Sequence, residues 1–223
     1  MSRGLFVVFE GGDRVGKSTQ ARALAAGLAA SGIAHILTHE PGGSPVGQTI
    51  RQLLLDPASR LSDRAEALLY LADKAQHVSQ VVLPALAAGR VVVCDRYVDS
   101  LLAYQGAGRA LAVDELARLA DWATHGLRPD LTVLLDADPR RAVARVWGKD
   151  RLEAAGEDFH LRVRQGFLAL AQADPERYLV LPGLISVREI AGRVRAAVGE
   201  LLGRELAEPR LADSGGRLRA GRR

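Results

Sequence analysis

One short segment restricts this chain to a small group of folds: Gly11-Gly12-Asp13-Arg14-Val15-Gly16-Lys17-Ser18. It matches the pattern GxxxxGK(S/T), follows the apolar residues 5–9 and begins the helix-like stretch 17–30, which is the context that a phosphate-binding loop requires. In such a loop, backbone N–H groups surround phosphate oxygens, the lysine contacts the outer phosphates and the next hydroxyl ligates Mg²⁺. We therefore expect the loop, up to and including Thr19, to bind a nucleoside triphosphate, with Lys17 catalytic and Ser18 a metal ligand.

Short β-rich runs alternate with longer amphipathic segments along the chain. The runs with strand character are residues 5–9, 35–38, 91–95, 131–136 and 178–181. The segments with helical periodicity are residues 17–30, 46–55, 62–88, 113–124, 139–146, 157–171 and 187–202. Strands that alternate with helices form right-handed crossovers, so we predict an α/β fold with a five-stranded parallel sheet covered by helices on both faces. Asp95 ends the third predicted strand, where ligands of such sheets bind, and is a second candidate metal ligand.

The composition is that of one globular domain. The 223 residues are 48% hydrophobic and 25% charged, which is enough for one sizeable core. Six arginines against three acidic residues in 203–223 account for most of the net charge of +4. We therefore expect a single domain over residues 1–206, a disordered basic tail over 207–223 and no specific nucleic-acid partner.

Membrane insertion, secretion and disulfide formation are not expected. The apolar runs are short, whereas a membrane span needs about 20 such residues. The first residues lack the zones of a secretion signal, so we expect a cytoplasmic protein without a membrane partner. The single cysteine, Cys94, cannot form an internal disulfide and is expected to be a small buried hydrophobe.

Four motifs occur in a fixed order along the chain. They are Asp13-Arg14 in the loop, Glu40-Pro41-Gly42-Gly43 after the second predicted strand, Asp95-Arg96-Tyr97 after the third, and Ala103-Tyr104-Gln105-Gly106. This ordered set resembles the thymidylate kinase family over about residues 5–202. The resemblance implies a P-loop nucleoside monophosphate kinase-like fold with a short lid at about residues 145–156. It also implies a homodimer that uses Mg²⁺ and transfers the γ-phosphoryl group of ATP to dTMP, giving ADP and dTDP for dTTP synthesis.

The resemblance assigns residues to the sugar and phosphate of the acceptor nucleotide. Asp13 is expected to contact the deoxyribose 3′-hydroxyl. Arg96 and Arg51 are expected to contact the acceptor phosphate, because a guanidinium group binds phosphate through two parallel N–H bonds. Tyr104 is expected to exclude a ribose 2′-hydroxyl. Ordinary structural roles stay open, namely a turn for Asp13 and a solvated helix face for Arg51.

Base recognition follows from the same resemblance. Tyr70 and Lys74 are four residues apart, so they share one face of the third predicted helix. The family has an aromatic ring that stacks on thymine at the first position and, at the second, an arginine that hydrogen-bonds the base. Tyr70 keeps the ring, whereas Lys74 replaces the arginine, and the resemblance assigns both residues to base binding. Gln105 and Ser100 are expected close to the base, and Glu40 is also assigned to the substrate site. A core ring for Tyr70 and an ordinary loop hydroxyl for Ser100 stay open.

Phosphoryl transfer requires cations around the transferred group. Arg14 resembles a loop arginine of the eukaryotic branch of the family. Arg145 and Arg151 lie in the segment that corresponds to the lid, where many bacterial members have basic residues. We expect all three arginines to be catalytic together with Lys17 and Asp95. A surface loop with ordinary charges stays open for the lid segment.

Two other functions stay open on the sequence alone. The phosphate loop is shared by GTPases, motor ATPases and small-molecule kinases, although the Asn-Lys-x-Asp tetrapeptide that binds guanine is absent. One alternative is a kinase for another nucleoside monophosphate or for a deoxynucleoside. The other is a nucleotide-binding regulatory module that transfers no phosphate.

Overall fold

Five parallel strands form the centre of the computed structural model, which describes residues 3–142 and 156–209. The strands are β1 (Phe6–Gly11), β2 (His35–His39), β3 (Val91–Asp95), β4 (Leu131–Asp136) and β5 (Tyr178–Pro182). Their order across the sheet is β2-β3-β1-β4-β5, and all neighbouring strands are parallel. The predicted fold class is confirmed, and every predicted strand lies within two residues of the observed bounds.

Helices cover both faces of this sheet. They are α1 (Lys17–Ala30), α2 (Pro45–Leu55), α3 (Asp63–His77), α4 (Leu83–Ala87), α5 (Val98–Leu101), α6 (Val113–Ala123), α7 (Pro139–Ala142), α8 (Glu157–Ala173) and α9 (Val187–Leu202). Between them lie two π-helical segments, Val78–Val82 and Leu102–Gly108, and the 3₁₀ turn Pro175–Arg177.

The uninterrupted apolar sequence of β1 explains why both faces are covered. Successive side chains of a strand point to opposite faces, so an apolar run exposes hydrophobic surface on both. Phe9 packs in one cluster with Leu24 of α1 and Val194 of α9. Val8 packs on the other face in a cluster with Leu86 of α4. Each such buried side chain contributes about 2 kcal/mol, which holds the helices on the sheet.

Two helical segments differ from the prediction. The predicted helix 62–88 contains a π turn at Val78–Val82, just before Pro84, whose ring cannot continue a regular α-helical hydrogen-bond ladder. Residues 98–108, which form α5 and the second π segment, were not predicted, because their glycines obscure the helical pattern. Gly108 is required there, since a Cβ at this position would come 2.6 Å from the Phe159 ring of α8.

The remaining predictions concern the cysteine and the ends of the chain. Cys94 is a buried free thiol in β3, as expected. After α9 the chain packs against α1, where the Ala207 N–H donates to the Ser31 hydroxyl at 2.8 Å. Residues 145–155 of the predicted lid and 210–223 of the predicted tail lie outside the described residues. Within the described ranges, no helix is both long enough and apolar enough to cross a membrane.

Candidate active site

A cavity of about 550 Å³ lies at the carboxyl ends of β1 and β3. Phe9 and Asp95 are register partners, so the loop after β1 and the residues after β3 leave the sheet side by side. Motifs that are distant in the sequence therefore meet at this cavity. The predicted site residues that line it are Asp13, Arg14, Lys17, Ser18, Glu40, Arg51, Tyr70, Lys74, Asp95, Arg96, Ser100, Tyr104 and Gln105.

The phosphate loop has the backbone that its glycines predict. Gly16 has a φ of +98° and is the N-cap of α1, whose first N–H groups face the loop. A Cβ on Gly11 would come 2.4 Å from the carbonyl oxygen of Leu135, so β4 leaves no space for a side chain there. Among the described loop residues, those that do not line the cavity are Gly11, Gly12, Val15, Gly16 and Thr19.

Two cations of this loop line the cavity. Lys17 is buried, and its ammonium group donates to the carbonyl oxygen of Gly12. Burial, reinforced by the charge of Arg96, lowers the pKa of Lys17 to about 8. A phosphate group beside Lys17 would favour its charged form and reverse this effect. Arg14 has a φ of +62°, a left-handed conformation that non-glycine residues adopt rarely and mostly at functional sites.

Ser18 and Asp95 form the candidate metal site. The Ser18 hydroxyl, in the first turn of α1, donates to Oδ2 of Asp95 at the end of β3. Hydroxyl and carboxylate oxygens are hard ligands of the kind that Mg²⁺ prefers, and Mg²⁺ usually completes its shell with water and phosphate oxygens. The two residues that the sequence selected are therefore adjacent, and their chemistry fits Mg²⁺.

Arg96 is the centre of a second cluster of polar groups. Its Nη2 donates to Oδ1 of Asp13, and its Nη1 donates to the Ser100 hydroxyl at 3.1 Å. The Tyr104 hydroxyl donates to the other Asp13 oxygen at 2.8 Å. Burial alone would raise the pKa of Asp13, but the charges of Arg96 and Lys17 outweigh it and the pKa is lowered. Asp13 is thus a carboxylate acceptor at neutral pH, beside a guanidinium group suited to phosphate.

Glu10 contacts this cluster through buried hydrogen bonds and was not among the predicted site residues. Its carboxylate, which is fully buried, accepts from the Tyr97 N–H at 2.8 Å and from the Ser100 hydroxyl at 2.6 Å. These bonds hold the turn in which Arg96 has a φ of +72°. Burial and the nearby Asp99 raise the pKa of Glu10 to about 7. The signal in the sequence was a charged residue at the end of an apolar strand.

A buried network joins α3 to the loop after β2. The Lys74 ammonium donates to Oε2 of Glu40 at 2.7 Å and to the Tyr97 carbonyl at 2.8 Å. The His77 ring contacts Oε1 of Glu40 and the Thr38 hydroxyl, both at 2.7 Å. His77 was not predicted, although positions 70, 74 and 77 share one helix face.

In this network, the buried charges of Glu40 and Lys74 stabilise each other. Burial alone would raise the pKa of Glu40, but Lys74 and His77 outweigh it and the pKa is lowered. Burial alone would lower the pKa of Lys74, but Glu40 outweighs it and the pKa is raised. Two N–H groups of Lys74 are therefore committed to protein acceptors, which leaves the third for any other partner.

The other predicted substrate residues contact protein groups near the cavity. Arg51 Nη1 donates to the Pro41 carbonyl at 2.8 Å, and Gln105 Nε2 donates to Oε1 of Glu66 at 2.8 Å. Tyr70 is almost wholly buried at the cavity wall. Arg145 and Arg151, the predicted lid cations, lie outside the described residues.

The parallel sheet, the phosphate loop and the adjoining cation-lined cavity define the class of P-loop nucleoside monophosphate kinases, which are phosphotransferases. The sequence model described as Thymidylate kinase matches residues 9–194. The chain belongs to the thymidylate kinase family.

Individual relatives agree with this assignment. A thymidylate kinase of Cutibacterium acnes is 61% identical over 202 residues, which cover 90% of this chain and 99% of that protein. A thymidylate kinase of Deinococcus radiodurans is 49% identical over 203 residues, which cover 90% of this chain and 98% of that protein. The crystal structure of a thymidylate kinase from Ehrlichia chaffeensis is similar with a TM-score of 0.74 and 29% identity, over 88% of this chain and 98% of that chain.

Proposed function

We propose that this protein transfers the γ-phosphoryl group of ATP to dTMP and releases ADP and dTDP. The observation that carries the proposal is one cavity shared by the phosphate loop, Arg96 and the Asp13 carboxylate. Donor phosphates on the loop and an acceptor phosphate against Arg96 would face each other, which is the arrangement that in-line transfer requires.

In this proposal, the acceptor nucleotide takes over contacts that protein groups now make. Its 5′-phosphate binds the guanidinium group of Arg96, with Arg51 as a second cation. Asp13 accepts from the deoxyribose 3′-hydroxyl. Tyr104, whose hydroxyl donates to Asp13, lies against the same sugar, and its ring occupies the space that a 2′-hydroxyl would need.

The base lies in the part of the cavity lined by Tyr70, Lys74 and Gln105. The Tyr70 ring stacks on the thymine ring. Gln105 contacts the polar edge of the base. Lys74 contributes its remaining N–H, because its other two are bound to Glu40 and to the Tyr97 carbonyl.

The chemical step is a displacement at the γ-phosphorus. An oxygen of the dTMP phosphate forms a bond to this phosphorus while the bond to the β,γ-bridging oxygen breaks, and ADP leaves with that electron pair. Lys17 and Arg14 stabilise the negative charge on the oxygens of the transferred group. Ser18 and Asp95 would hold Mg²⁺, which when bound neutralises charge on the β- and γ-phosphates.

An acceptor panel tests this function. The protein is incubated with ATP, Mg²⁺ and dTMP, dUMP, dCMP or thymidine, and both ADP and the nucleotide products are measured. We expect dTDP, with kcat/KM for dTMP about tenfold or more above that for each other acceptor. Preference for another acceptor would indicate a different kinase. No ADP with any acceptor, together with salt-sensitive oligonucleotide binding, would indicate a regulatory module.

We further propose that the protein is a cytoplasmic homodimer. Leu53 of α2, Leu68 of α3 and Trp122 of α6 are exposed, and α3 packs against both other helices. Apolar side chains exposed on neighbouring helices are typical of an interaction surface, which supports the homodimer. The proposed substrates, ATP and dTMP, are cytoplasmic metabolites, which supports the proposed location. Light scattering should give twice the mass of one chain, and Trp122→Arg should give the mass of one. A monomeric wild type would contradict the proposal.

A further inference from the structure

Glu66 of α3 lies behind the cavity wall, in contact with Gln105. It is fully buried, and its Oε1 accepts from Nε2 of Gln105 at 2.8 Å. The Arg109 guanidinium group faces the same carboxylate, with Nε 3.4 Å from Oε1 and Nη2 3.4 Å from Oε2. Arg109 is itself held over the Phe159 ring, 5.2 Å from its centroid. Gln105 is therefore fixed by a buried carboxylate that has its own counter-charge.

This arrangement determines which end of the Gln105 amide faces Glu66. A carboxylate paired with a guanidinium group only accepts hydrogen bonds. The amide nitrogen must face it, because a carbonyl oxygen in that place would leave two acceptors opposed in a buried site. Gln105 lines the cavity, and in the described part of the chain no donor reaches its carbonyl oxygen. The carbonyl oxygen is thus the polar atom that Gln105 offers to a ligand.

We propose that Glu66 is a positioning residue that makes Gln105 a hydrogen-bond acceptor in the cavity and thereby selects bases that carry a proton at N3. This inference rests on the proposed function, in which the acceptor base lies against Gln105. Thymine and uracil have an N3–H that donates to a carbonyl oxygen. Cytosine has an unprotonated N3, so that two acceptors would meet. A buried site that binds one pattern of donors and acceptors strongly rejects its opposite.

Glu66→Gln tests the inference. A glutamine at this position both donates and accepts, so the amide of Gln105 can turn over and offer its nitrogen to the cavity. We expect the ratio of kcat/KM for dTMP to that for dCMP to fall about tenfold or more. The ratio for dTMP to dUMP should stay the same, because both bases carry N3–H.

Asp63→Asn is the matched control. Among the residues that the structure describes, Asp63 is the second carboxylate that faces Arg109, 3.6 Å from its Nε, and it is exposed. Its replacement removes the same charge from the surroundings of Arg109 while Glu66 still holds Gln105. Both substrate ratios should stay at the wild-type value.

Two results would overturn the inference. One is an equal loss of kcat/KM for all three nucleotides in Glu66→Gln, which would mean that Glu66 only anchors α3. The other result comes from a second variant, Gln105→Met, which is used if Glu66→Gln does not fold. It keeps the side-chain volume and removes both polar atoms, so it should lower the ratio of kcat/KM for dTMP to that for dCMP. An unchanged ratio would contradict the inference. Calorimetric affinities for dTMP and dCMP give the same ratio without catalysis, so they separate this inference from failure of the proposed function.

Discussion

The ammonium group of Lys74 lies 2.7 Å from Oε2 of Glu40, and both side chains are almost wholly buried. The pair connects α3 to the loop after β2 at the wall of the substrate cavity. Neither charge can separate from its partner without a large desolvation cost. This wall of the site is therefore held rigidly before any nucleotide binds.

Removal of one partner of the Lys74–Glu40 pair should destabilise the protein strongly, and removal of both partners should cost less than the sum of the two single changes. Glu40→Gln leaves the Lys74 charge buried without its counter-charge, so we expect the free energy of unfolding to fall by about 3 kcal/mol. In the double variant with Lys74→Met, the combined loss should be smaller than the sum of the single losses by more than about 1 kcal/mol. Urea denaturation measures all three. The exposed pair of Glu189 and Arg193 is the control and should couple weakly. Additive losses at positions 40 and 74 would contradict the ion pair.

Arg14→Ala should impair the chemical step. We expect kcat to fall by about 10²-fold or more with nearly unchanged ATP affinity, because Arg14 stabilises charge that develops on the transferred group. Arg14→Gly should show the same loss, although glycine accepts the positive φ without strain. Arg188→Ala on α9 is the control, because this side chain is 82% exposed and lies outside the cavity. Wild-type turnover of Arg14→Ala in a coupled ADP-release assay would remove this arginine from the mechanism.

Ser18→Ala should weaken metal binding. The hydroxyl that donates to Asp95 is lost, so we expect the Mg²⁺ concentration for half-maximal activity to rise about tenfold. Ser18→Thr keeps a hydroxyl and should stay close to wild type. A titration of activity against Mg²⁺ measures both variants. Equal Mg²⁺ dependence in all three proteins would exclude the Ser18 hydroxyl as a ligand.

Lys74→Arg tests base recognition. A guanidinium group can keep the bond to Glu40 and direct further planar N–H groups to the base, so kcat/KM for dTMP should be retained or increased. Steady-state kinetics measures this value, and circular dichroism controls for the fold. A loss of dTMP activity in a folded variant would mean that the cavity is shaped around lysine for another substrate.

Glu10 should make stability depend on pH. Burial and Asp99 raise the pKa of Glu10 from 4.5 to about 7. Ionisation therefore costs more in the folded protein than in the unfolded one, and the free energy of unfolding falls as pH rises through this interval. Glu10→Gln removes this dependence, so its stability relative to wild type should rise by about 2 kcal/mol between pH 5 and 7.5. Urea denaturation across this range measures the change, with Asp114→Asn as an exposed control. Parallel curves for Glu10→Gln and wild type would contradict the raised pKa.

The sequence predicted those parts of the fold that depend on local pattern. The apolar strands and the phosphate loop have short-range signals, and so their positions and the edge of the sheet that forms the site could be inferred. Residues 98–108 could not, because Gly108 disfavours a helix locally and is explained only by the close approach of α8. The π turn before Pro84 could not be predicted either, because it depends on this one residue while the helical periodicity continues across the segment.

The sequence predicted which residues line the site better than it predicted the contacts that hold them in place. Glu10, Glu66 and His77 are fully buried and hold predicted residues in place, but burial of a charge depends on partners that are distant in the chain. The sequence placed Lys74 at the base. Only the three-dimensional structure shows that Glu40 already binds its ammonium group.

A crystal structure with dTMP and a non-hydrolysable ATP analogue would test the central claim most directly. We predict both nucleotides in the cavity at the ends of β1 and β3, the analogue's phosphates on residues 11–18 and the dTMP phosphate against Arg96. The terminal phosphate of the analogue should point at the dTMP phosphate. A dTMP molecule bound elsewhere, or a phosphate that Arg96 does not contact, would contradict this account.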